Sequence, residues 1–318
     1  MIGVHHSIIP PRIERGQTLG IVAPAGPIKL DKLNAGLARL GDAFALRVAD
    51  SIVSPRDPAV PSYLAASDER RADELNAMLA DPDVRAILLA RGGYGLTRIL
   101  PRFDASALVR DPKPIVGFSD ATALLAWAHR NGVRGIHGPM AVQLASLPDG
   151  DVAHLIETMT TPRAAGVRPW RLERRAGGGQ IRAPLVVGNL TLAATLYGTP
   201  WPVPLAGSIA LLEDVGERPY ELDRYLTQLV LAGELGRARA LIAGELTRCV
   251  DPQPPSGEPD PDDAALQVVM ERARAAGIPC AATAPVGHGD RNEALPFGGD
   301  AILDLDAGTL ELLDAAVA

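Results

Sequence analysis

The most distinctive reactive position is a serine at the point where an apolar run passes into a helical pattern. The sequence PIVGFSD at 114–120 ends such a run in a Gly-Phe-Ser turn, and a helical pattern follows directly. In a nucleophile elbow, this strand-turn-helix arrangement exposes a serine hydroxyl, and the first amides of the helix can bind an oxyanion. Ala121 stands where hydrolases of the Gly-x-Ser-x-Gly type have glycine. The segment predicts either a nucleophile at Ser119 or a helix cap at Ser119 or Asp120.

A glycine-rich turn with the sequence RGGYG at 91–95 follows the apolar run at 84–90. Glycines at the end of a strand allow close backbone approach to a ligand and leave their amides accessible. The turn lacks the Lys and Ser/Thr of a P-loop and the Gly-x-Gly-x-x-Gly dinucleotide fingerprint. Because ligands of open α/β sheets bind beyond the carboxyl ends of strands, we expect the turn to lie near Ser119. A plain tight turn is the alternative.

A serine nucleophile needs a general base, and the sequence contains six histidines. His288 lies in the glycine-flanked loop PVGHGD at 285–290, where its imidazole can be presented without steric shielding. His137, at the end of the predicted fifth strand, is the alternative base. The remaining histidines are expected at a frayed terminus (His5 and His6) or on helices (His129 and His154).

The carboxylate that would orient the base is less well defined by residue type alone. The sequence LLEDVGE at 211–217 ends an apolar run in acids, and a carboxylate at the end of a buried strand is costly without a partner. This reasoning selects Glu213 and Asp214 but does not separate them. No group of His, Cys, Asp and Glu has metal-ligand spacing, so we expect neither a metal nor a cofactor.

The pattern of the whole chain predicts an α/β protein of two domains. In residues 1–158, apolar runs alternate with helical patterns, which is typical of a doubly wound parallel sheet. Residues 159–180 are rich in turns and charges and are predicted to connect the domains. Residues 181–318 are predicted to form a smaller mixed α/β domain that ends in a hairpin. The strands are predicted at 18–23, 44–49, 84–90, 114–118, 133–136, 183–187, 208–212, 240–243, 280–284, 301–305 and 309–312.

Composition excludes several classes of protein. The chain has 31 basic and 38 acidic residues and a net charge of −7, so we expect no nucleic-acid partner and no anionic membrane surface. It has no secretory signal and no apolar stretch long enough to span a membrane, which predicts a cytoplasmic protein. Cys249 and Cys280 are too few for a disulfide framework and are expected to be reduced and structural.

Seven motifs in order make this chain resemble the LD-carboxypeptidases, serine peptidases that include murein tetrapeptide carboxypeptidase and the microcin C self-immunity protein. The resemblance covers nearly the whole chain. The motifs are GIVAP at 20–24, RGGYG at 91–95, VGFSD at 116–120, GNL at 188–190, LED at 212–214, PVGHG at 285–289 and LPFG at 295–298.

The resemblance implies roles for individual residues. Ser119 is the implied nucleophile in the first domain, and Glu213 and His288 are the implied acid and base in the second. It thus selects Glu213 over Asp214. The implied oxyanion hole consists of the backbone amides of Gly92, Gly93 and Asp120. A homodimer without a metal is also implied.

Two kinds of amide substrate are known among such proteins. Carboxypeptidases release a terminal D-alanine from muropeptides, and we expect this substrate here. The immunity-type relatives cut amides that join a peptidyl or aminoacyl group to a nucleotide, and they carry an aromatic residue that stacks on the base. Only Trp170 could do so in this chain, and a packed indole is expected instead.

Two residues are candidate substrate contacts. Arg91 could bind a terminal carboxylate bidentately, or it could pair with a nearby acid to hold its turn. Asn189 of the GNL motif is the second candidate. Two other classes stay open, namely an amidotransferase-like enzyme with a cysteine nucleophile and a binding protein without catalysis.

Overall fold

A computed structural model describes residues 7–254, 257–258 and 260–318 and divides the chain into two compact units. Unit 1 comprises the chain up to Ala164 together with Glu293–Gly298 and Ala315–Ala318. Unit 2 comprises Ala165–Asn292 and Gly299–Asp314. Each unit contains a β-sheet and helices, as the sequence pattern predicts.

The strands and helices are numbered in chain order. The strands are β1 Thr18–Val22, β2 Ala45–Val48, β3 Val84–Leu89, β4 Ile115–Gly117, β5 Gly135–His137, β6 Gly166–Val167, β7 Glu173–Ala176, β8 Gln180–Asn189, β9 Ile209–Val215, β10 Ala240–Thr247, β11 Cys280–Ala282, β12 Leu295–Phe297, β13 Gly299–Asp304 and β14 Thr309–Leu312. The helices are α1 Leu30–Ala38, α2 Asp50–Val53, α3 Asp68–Ala80, α4 Leu96–Ile99, α5 Ala105–Arg110, α6 Thr122–Arg130, α7 Ala141–Leu144, α8 Asp149–Thr160, α9 Leu190–Thr195, α10 Pro219–Leu231 and α11 Ala264–Ala275.

The sheet of unit 1 has five parallel strands in the order β2-β1-β3-β4-β5, and β12 adds antiparallel to β5. This is a doubly wound order, in which the direction of strand addition reverses between β1 and β3. The central strands are apolar and almost fully buried, as expected for a parallel sheet covered on both faces. The loops after β1, β3 and β4 therefore meet at the edge where such folds bind ligands.

Helix α3 begins after an N-cap at Ser67. The Ser67 hydroxyl accepts the Arg70 amide, and Asp68 and Glu69 place negative charge in the first turn. The buried face of the helix includes Leu75 and also Arg71, whose guanidinium extends toward the loop edge of the sheet. This helix thus brings a buried charge to the site region of unit 1.

The sheet of unit 2 has the order β6-β14-β13-β8-β9-β10-β11-β7. Strands β8 to β11 are parallel, and the outer strands are antiparallel. The predicted C-terminal hairpin is present as β13 and β14. Asn189, the last residue of β8, pairs in register with Glu213 of β9, so the acid lies at the carboxyl end of a buried parallel strand.

The observed units depart from the predicted division into 1–158, 159–180 and 181–318. The segment 159–180 contains β6 and β7, which form the two edges of the second sheet. Strand β6 has only two residues, Gly166 and Val167, and β7 is mostly charged, so neither has an apolar alternation that could distinguish it from a connection. In addition, β12 belongs to unit 1, because it pairs with β5 through Leu295 and His137. The last four residues of the chain also belong to unit 1.

No helix within the described residues combines the length and apolar character needed to cross a bilayer.

Candidate active site

Ser119 lies in a strained turn between β4 and α6. Its φ is 61°, in the left-handed region that serine rarely adopts, and a 3₁₀ turn at Ser119–Ala121 continues directly into α6. A methyl group at Gly117 would lie 2.7 Å from the Ala121 Cβ, so the turn needs glycine at that position. The predicted strand-turn-helix is present, with alanine replacing the second glycine of the usual elbow.

The glycine turn at 91–95 lies against this serine. A methyl group at Gly92 would lie 3.0 Å from the Ser119 Cβ and 3.1 Å from its Oγ. The Gly92 carbonyl accepts the Gly26 amide at 2.9 Å, which ties the loop after β3 to the loop after β1. Gly93 has a φ of 106°, which an L side chain would oppose. The backbone of the turn is thus close to the serine hydroxyl.

Glu213 and His288 form a hydrogen-bonded pair in unit 2. The Glu213 Oε2 atom accepts the His288 Nδ1–H at 2.6 Å, which leaves Nε2 as the basic nitrogen of the imidazole. Glu213 is fully buried, and His288 keeps about a fifth of its side chain exposed. Burial raises the pKa of Glu213, and the hydrogen bond from His288 opposes that rise. The arrangement can hold an imidazole in one orientation and stabilise its charged form.

The loop that carries His288 depends on its glycine. Gly287 has a φ of 139°, and a methyl group there would lie 2.9 Å from the Glu213 Oε2 atom. Its amide donates to Asn292 Oδ1 at 3.1 Å, and Asn292 is fully buried. Glycine at 287 therefore lets the loop pass close enough to β9 for His288 to reach Glu213.

Asp214 has a different set of partners. It accepts the Thr191 amide at 2.9 Å, the Thr191 hydroxyl at 2.8 Å and the amide of Val215 at 2.8 Å. The Asn189 Nδ2 group donates to Asp214 at 3.0 Å and to Glu213 at 3.4 Å, and its Oδ1 caps α9 through Leu192. Asn189 is thus buried against the acids, and its predicted contact with substrate stays a prediction.

The other histidines have structural surroundings. His137, the alternative base, is fully buried in β5 with its ring edge-on to Phe118 at 5.9 Å. His154 Nε2 lies 3.0 Å from the Ala294 carbonyl, and His129 is at the end of α6 beside Phe297. His5 and His6 lie outside the described residues.

Arg91 does not pair with an acid among the described residues. Its side chain is exposed and donates to the Pro27 carbonyl at 2.5 Å. This bond joins the glycine turn to the loop after β1, so the arginine holds its turn through a carbonyl and not through an acid. A carboxylate-binding role for Arg91 stays a prediction.

Both cysteines are free and buried, as predicted. Burial, and secondarily the charge of Asp214, raises the pKa of the Cys249 thiol to about 12. A cysteine nucleophile reacts as the thiolate, so this residue is unsuited to that role. Within the described part of the chain, no three His, Cys, Asp or Glu side chains are grouped so that they could hold a metal ion.

Three site features were not apparent in the sequence, namely the buried side chains of Arg71, Asp120 and Asn292. Arg71 lies in a charged helix pattern, and only its spacing of four residues from Leu75 places it on the buried face. The sequence predicts Asp120 as a backbone donor or a helix cap and gives no role to its carboxylate, which accepts the Leu96 amide at 2.8 Å.

Family models describe both halves of this chain. The LD-carboxypeptidase N-terminal domain matches residues 19–138, and the LD-carboxypeptidase C-terminal domain matches residues 182–303. The chain belongs to the LD-carboxypeptidase family. It is therefore a serine-type peptidase, and the family resemblance of its motifs is confirmed.

Individual relatives agree with this assignment. The murein tetrapeptide carboxypeptidase of Pseudomonas aeruginosa is 33% identical over 298 residues, which is 90% of this chain and 92% of the relative. The microcin C7 self-immunity protein of Escherichia coli is 24% identical over 273 residues, 76% of this chain and 78% of the relative. The crystal structure of muramoyltetrapeptide carboxypeptidase from Oxalobacter formigenes superposes with a TM-score of 0.77 at 28% identity, covering 93% of this chain and 99% of that one.

Proposed function

We propose that this LD-carboxypeptidase releases the terminal D-alanine of muropeptide tetrapeptides through a triad of Ser119, Glu213 and His288. The observation that carries the proposal is the 2.6 Å hydrogen bond between His288 Nδ1 and Glu213 Oε2. A histidine oriented by a buried carboxylate is the base that serine nucleophiles use. The left-handed backbone at Ser119 adds the strained turn typical of a nucleophile.

In this mechanism, Ser119 Oγ attacks the carbonyl carbon of the L,D-amide while His288 Nε2 takes its proton. Glu213 stabilises the imidazolium that forms. The amides of Gly92, Gly93 and Asp120 bind the oxyanion of the tetrahedral intermediate. His288 then gives its proton to the leaving amine, D-alanine departs, and an acyl ester on Ser119 remains. Water, deprotonated by His288, hydrolyses that ester and restores the serine.

The muropeptide is favoured as substrate by the longer and closer match to the murein tetrapeptide carboxypeptidase. The burial of Trp170, which is only 6% exposed, also supports it, because stacking on a nucleotide base requires an exposed ring face. Cleavage of peptidyl-nucleotide or aminoacyl-nucleotide amides is the second candidate, since the microcin C7 self-immunity protein matches three quarters of the chain.

Further properties complete the proposal. We expect Arg91 to contact the terminal carboxylate with the donors that do not face Pro27, and Asn189 to contact the substrate. We also expect a cytoplasmic homodimer that takes part in peptidoglycan recycling.

Mass spectrometry of muropeptides after incubation with the enzyme tests the reaction, and loss of one alanine is expected. Ser119→Ala should keep the fold and reduce turnover by roughly 10⁴- to 10⁶-fold, as in other triads. Ser146→Ala, at an exposed serine of unit 1, is the matched control and should retain full activity. An aminoacyl sulfamoyl nucleoside, tested in parallel, addresses the second candidate. If only that compound is cut, the muropeptide assignment is wrong, and if Ser119→Ala stays active, the nucleophile is wrong.

A further inference from the structure

The glycine turn at 91–95 is held from one side by a buried arginine. Arg71 of α3 is 1% exposed, and its Nη1 group donates to the carbonyls of Gly95, at 3.1 Å, and of Pro24. Its Nε atom donates to the Ala66 carbonyl at 3.1 Å, and Nη2 pairs with Asp68 at 2.5 Å. One guanidinium thus joins α3 to the loops after β1 and β3.

The same turn is held from the other side by the side chain of Asp120. This residue follows Ser119, and it is also 1% exposed. Its Oδ2 atom accepts the Leu96 amide at 2.8 Å, and the nearby Gly95 amide favours the ionised form of the carboxylate. The peptide group that joins Gly95 to Leu96 is therefore fixed at both ends, its carbonyl by Arg71 and its amide by Asp120.

A turn of this composition needs such external contacts. Three of its five residues are glycine, and glycine has more conformational freedom than any other residue. Gly92 and Gly95 have no side chain with which to anchor themselves, and any methyl group at Gly95 would lie 2.7 Å from Arg71 Nη1. The Arg71 guanidinium therefore fits against the turn because residue 95 has no side chain.

The contacts reach the reacting serine. The Gly92 backbone lies against Ser119, and Asp120 adjoins Ser119 in the chain, so a shift of the turn would change the distance between its amides and Oγ. We propose that Arg71 and the Asp120 carboxylate are positioning residues that fix the oxyanion-binding amides relative to Ser119. This inference rests on the proposed function and adds two side chains to the described machinery.

The charges of the two residues are mutually compatible. Burial raises the pKa of Asp120 to about 6, while the amides of Leu96 and Gly95 and the charge of Arg71 act against that rise. Near pH 8 the carboxylate is ionised and can accept the Leu96 amide. A negatively charged carboxylate cannot bind an oxyanion, so the role of the Asp120 side chain is to orient an amide and not to bind the reacting group.

A fluorophosphonate probe tests the positions of the amides without knowledge of the substrate. The Ser119 oxygen bonds to phosphorus while its proton passes to His288, the P–F bond breaks and fluoride leaves, and the phosphoryl oxygen occupies the oxyanion site. The rate constant of labelling is measured at pH 8 for the wild type, Asp120→Ala, Asp120→Asn and Arg71→Lys. Arg85→Lys is the matched control, because Arg85 pairs with Asp111 in unit 1 and does not contact the turn.

We expect Asp120→Ala and Arg71→Lys to be labelled at least about tenfold more slowly, on the scale of losing oxyanion donors. Asp120→Asn keeps one acceptor oxygen, so its labelling rate constant should lie between those of Asp120→Ala and the wild type. With a hydrolysed substrate, kcat should fall by similar factors while KM changes little. Thermal unfolding identifies any variant that does not fold, and Arg71→Lys and Asp120→Asn remain as tests if Asp120→Ala fails.

The outcomes separate the inference from the proposed function. If the wild type is labelled at Ser119 and the folded variants react within threefold of it, the inference is wrong and the proposed function stands. The inference is also wrong if Arg85→Lys slows labelling as much as Arg71→Lys does, because the effect is then general. A wild type that is not labelled overturns both.

Discussion

At the scale of residues, neighbouring acids in one strand have different tasks. The Glu213 carboxylate receives the His288 imidazole, whereas Asp214 receives the Thr191 amide and hydroxyl. Successive side chains of a strand point to opposite faces, so these adjacent acids have largely different partners, although the Asn189 Nδ2 group donates to both. The sequence shows that this buried strand ends in carboxylates, whose burial costs free energy unless they have partners. It does not show which acid does what, because the partners that distinguish them come from distant segments of the chain.

We therefore expect the two amide substitutions to have different effects. Glu213→Gln removes the charge that stabilises imidazolium, and kcat should fall by roughly 10²- to 10⁴-fold, as for the acid of other triads. Asp214→Asn weakens buried hydrogen bonds, so it should cost about 1–3 kcal/mol of unfolding free energy and reduce kcat much less.

Steady-state kinetics and urea unfolding of both variants make this comparison. Each variant is the control of the other, because they are adjacent and lose the same charge. Equal losses of kcat would show that the acids act as one unit, and a larger loss in Asp214→Asn would reverse the assignment.

At the scale of elements, the site in unit 1 is made by loops that meet at one edge of a parallel sheet. The strands that lead to these loops could be predicted, since continuous apolar runs are typical of buried parallel strands. Strand order predicts that the turn at 91–95 lies close to Ser119. It does not predict that Gly92 is the residue in contact with the serine. That contact depends on packing between loops of different strands.

Gly92→Ala tests this contact. The added methyl group would lie 3.0 Å from the Ser119 Cβ and 3.2 Å from the Met140 Cε atom, so the turn must shift away from the serine. We expect kcat to fall at least about tenfold, on the scale of displacing an oxyanion donor, with an overpacking cost of about 1–3 kcal/mol in stability.

Gly150→Ala is the control for this substitution. Gly150 lies in the first turn of α8 with no atom in the way of a methyl group, so alanine there should raise stability by up to about 1 kcal/mol and leave kcat unchanged. Wild-type kcat in Gly92→Ala would show that the turn does not take part in the reaction.

At the scale of the whole molecule, the α/β class and the two sheets could be predicted, and the path of the chain could not. The short strand at 295–297 returns to the first sheet, and its three residues give no periodicity by which sequence alone would assign it. The three proposed catalytic residues were identifiable by type and motif. Buried Arg71 was not, because its partners are mostly backbone carbonyls, and these leave no trace in the sequence.

The stability of the folded chain should depend on pH through Asp120. Its pKa is about 6 in the folded state, above about 3.9 for an unfolded aspartate, so the folded state binds more protons between these values. Stability from this group is therefore greatest below pH 4 and falls as pH rises to 6, by about 3 kcal/mol at 1.36 kcal/mol per unit.

Asp120→Asn removes this titration. The unfolding free energy of Asp120→Asn minus that of the wild type, from urea unfolding at pH 4 to 7, should rise by about 2 kcal/mol between pH 4 and 6 and then level off. Because the other carboxylates titrate alike in both proteins, their contributions cancel in this difference. A difference that is flat across the range would show that Asp120 titrates as it does in the unfolded chain, and that Arg71 and the two amides fully offset its burial.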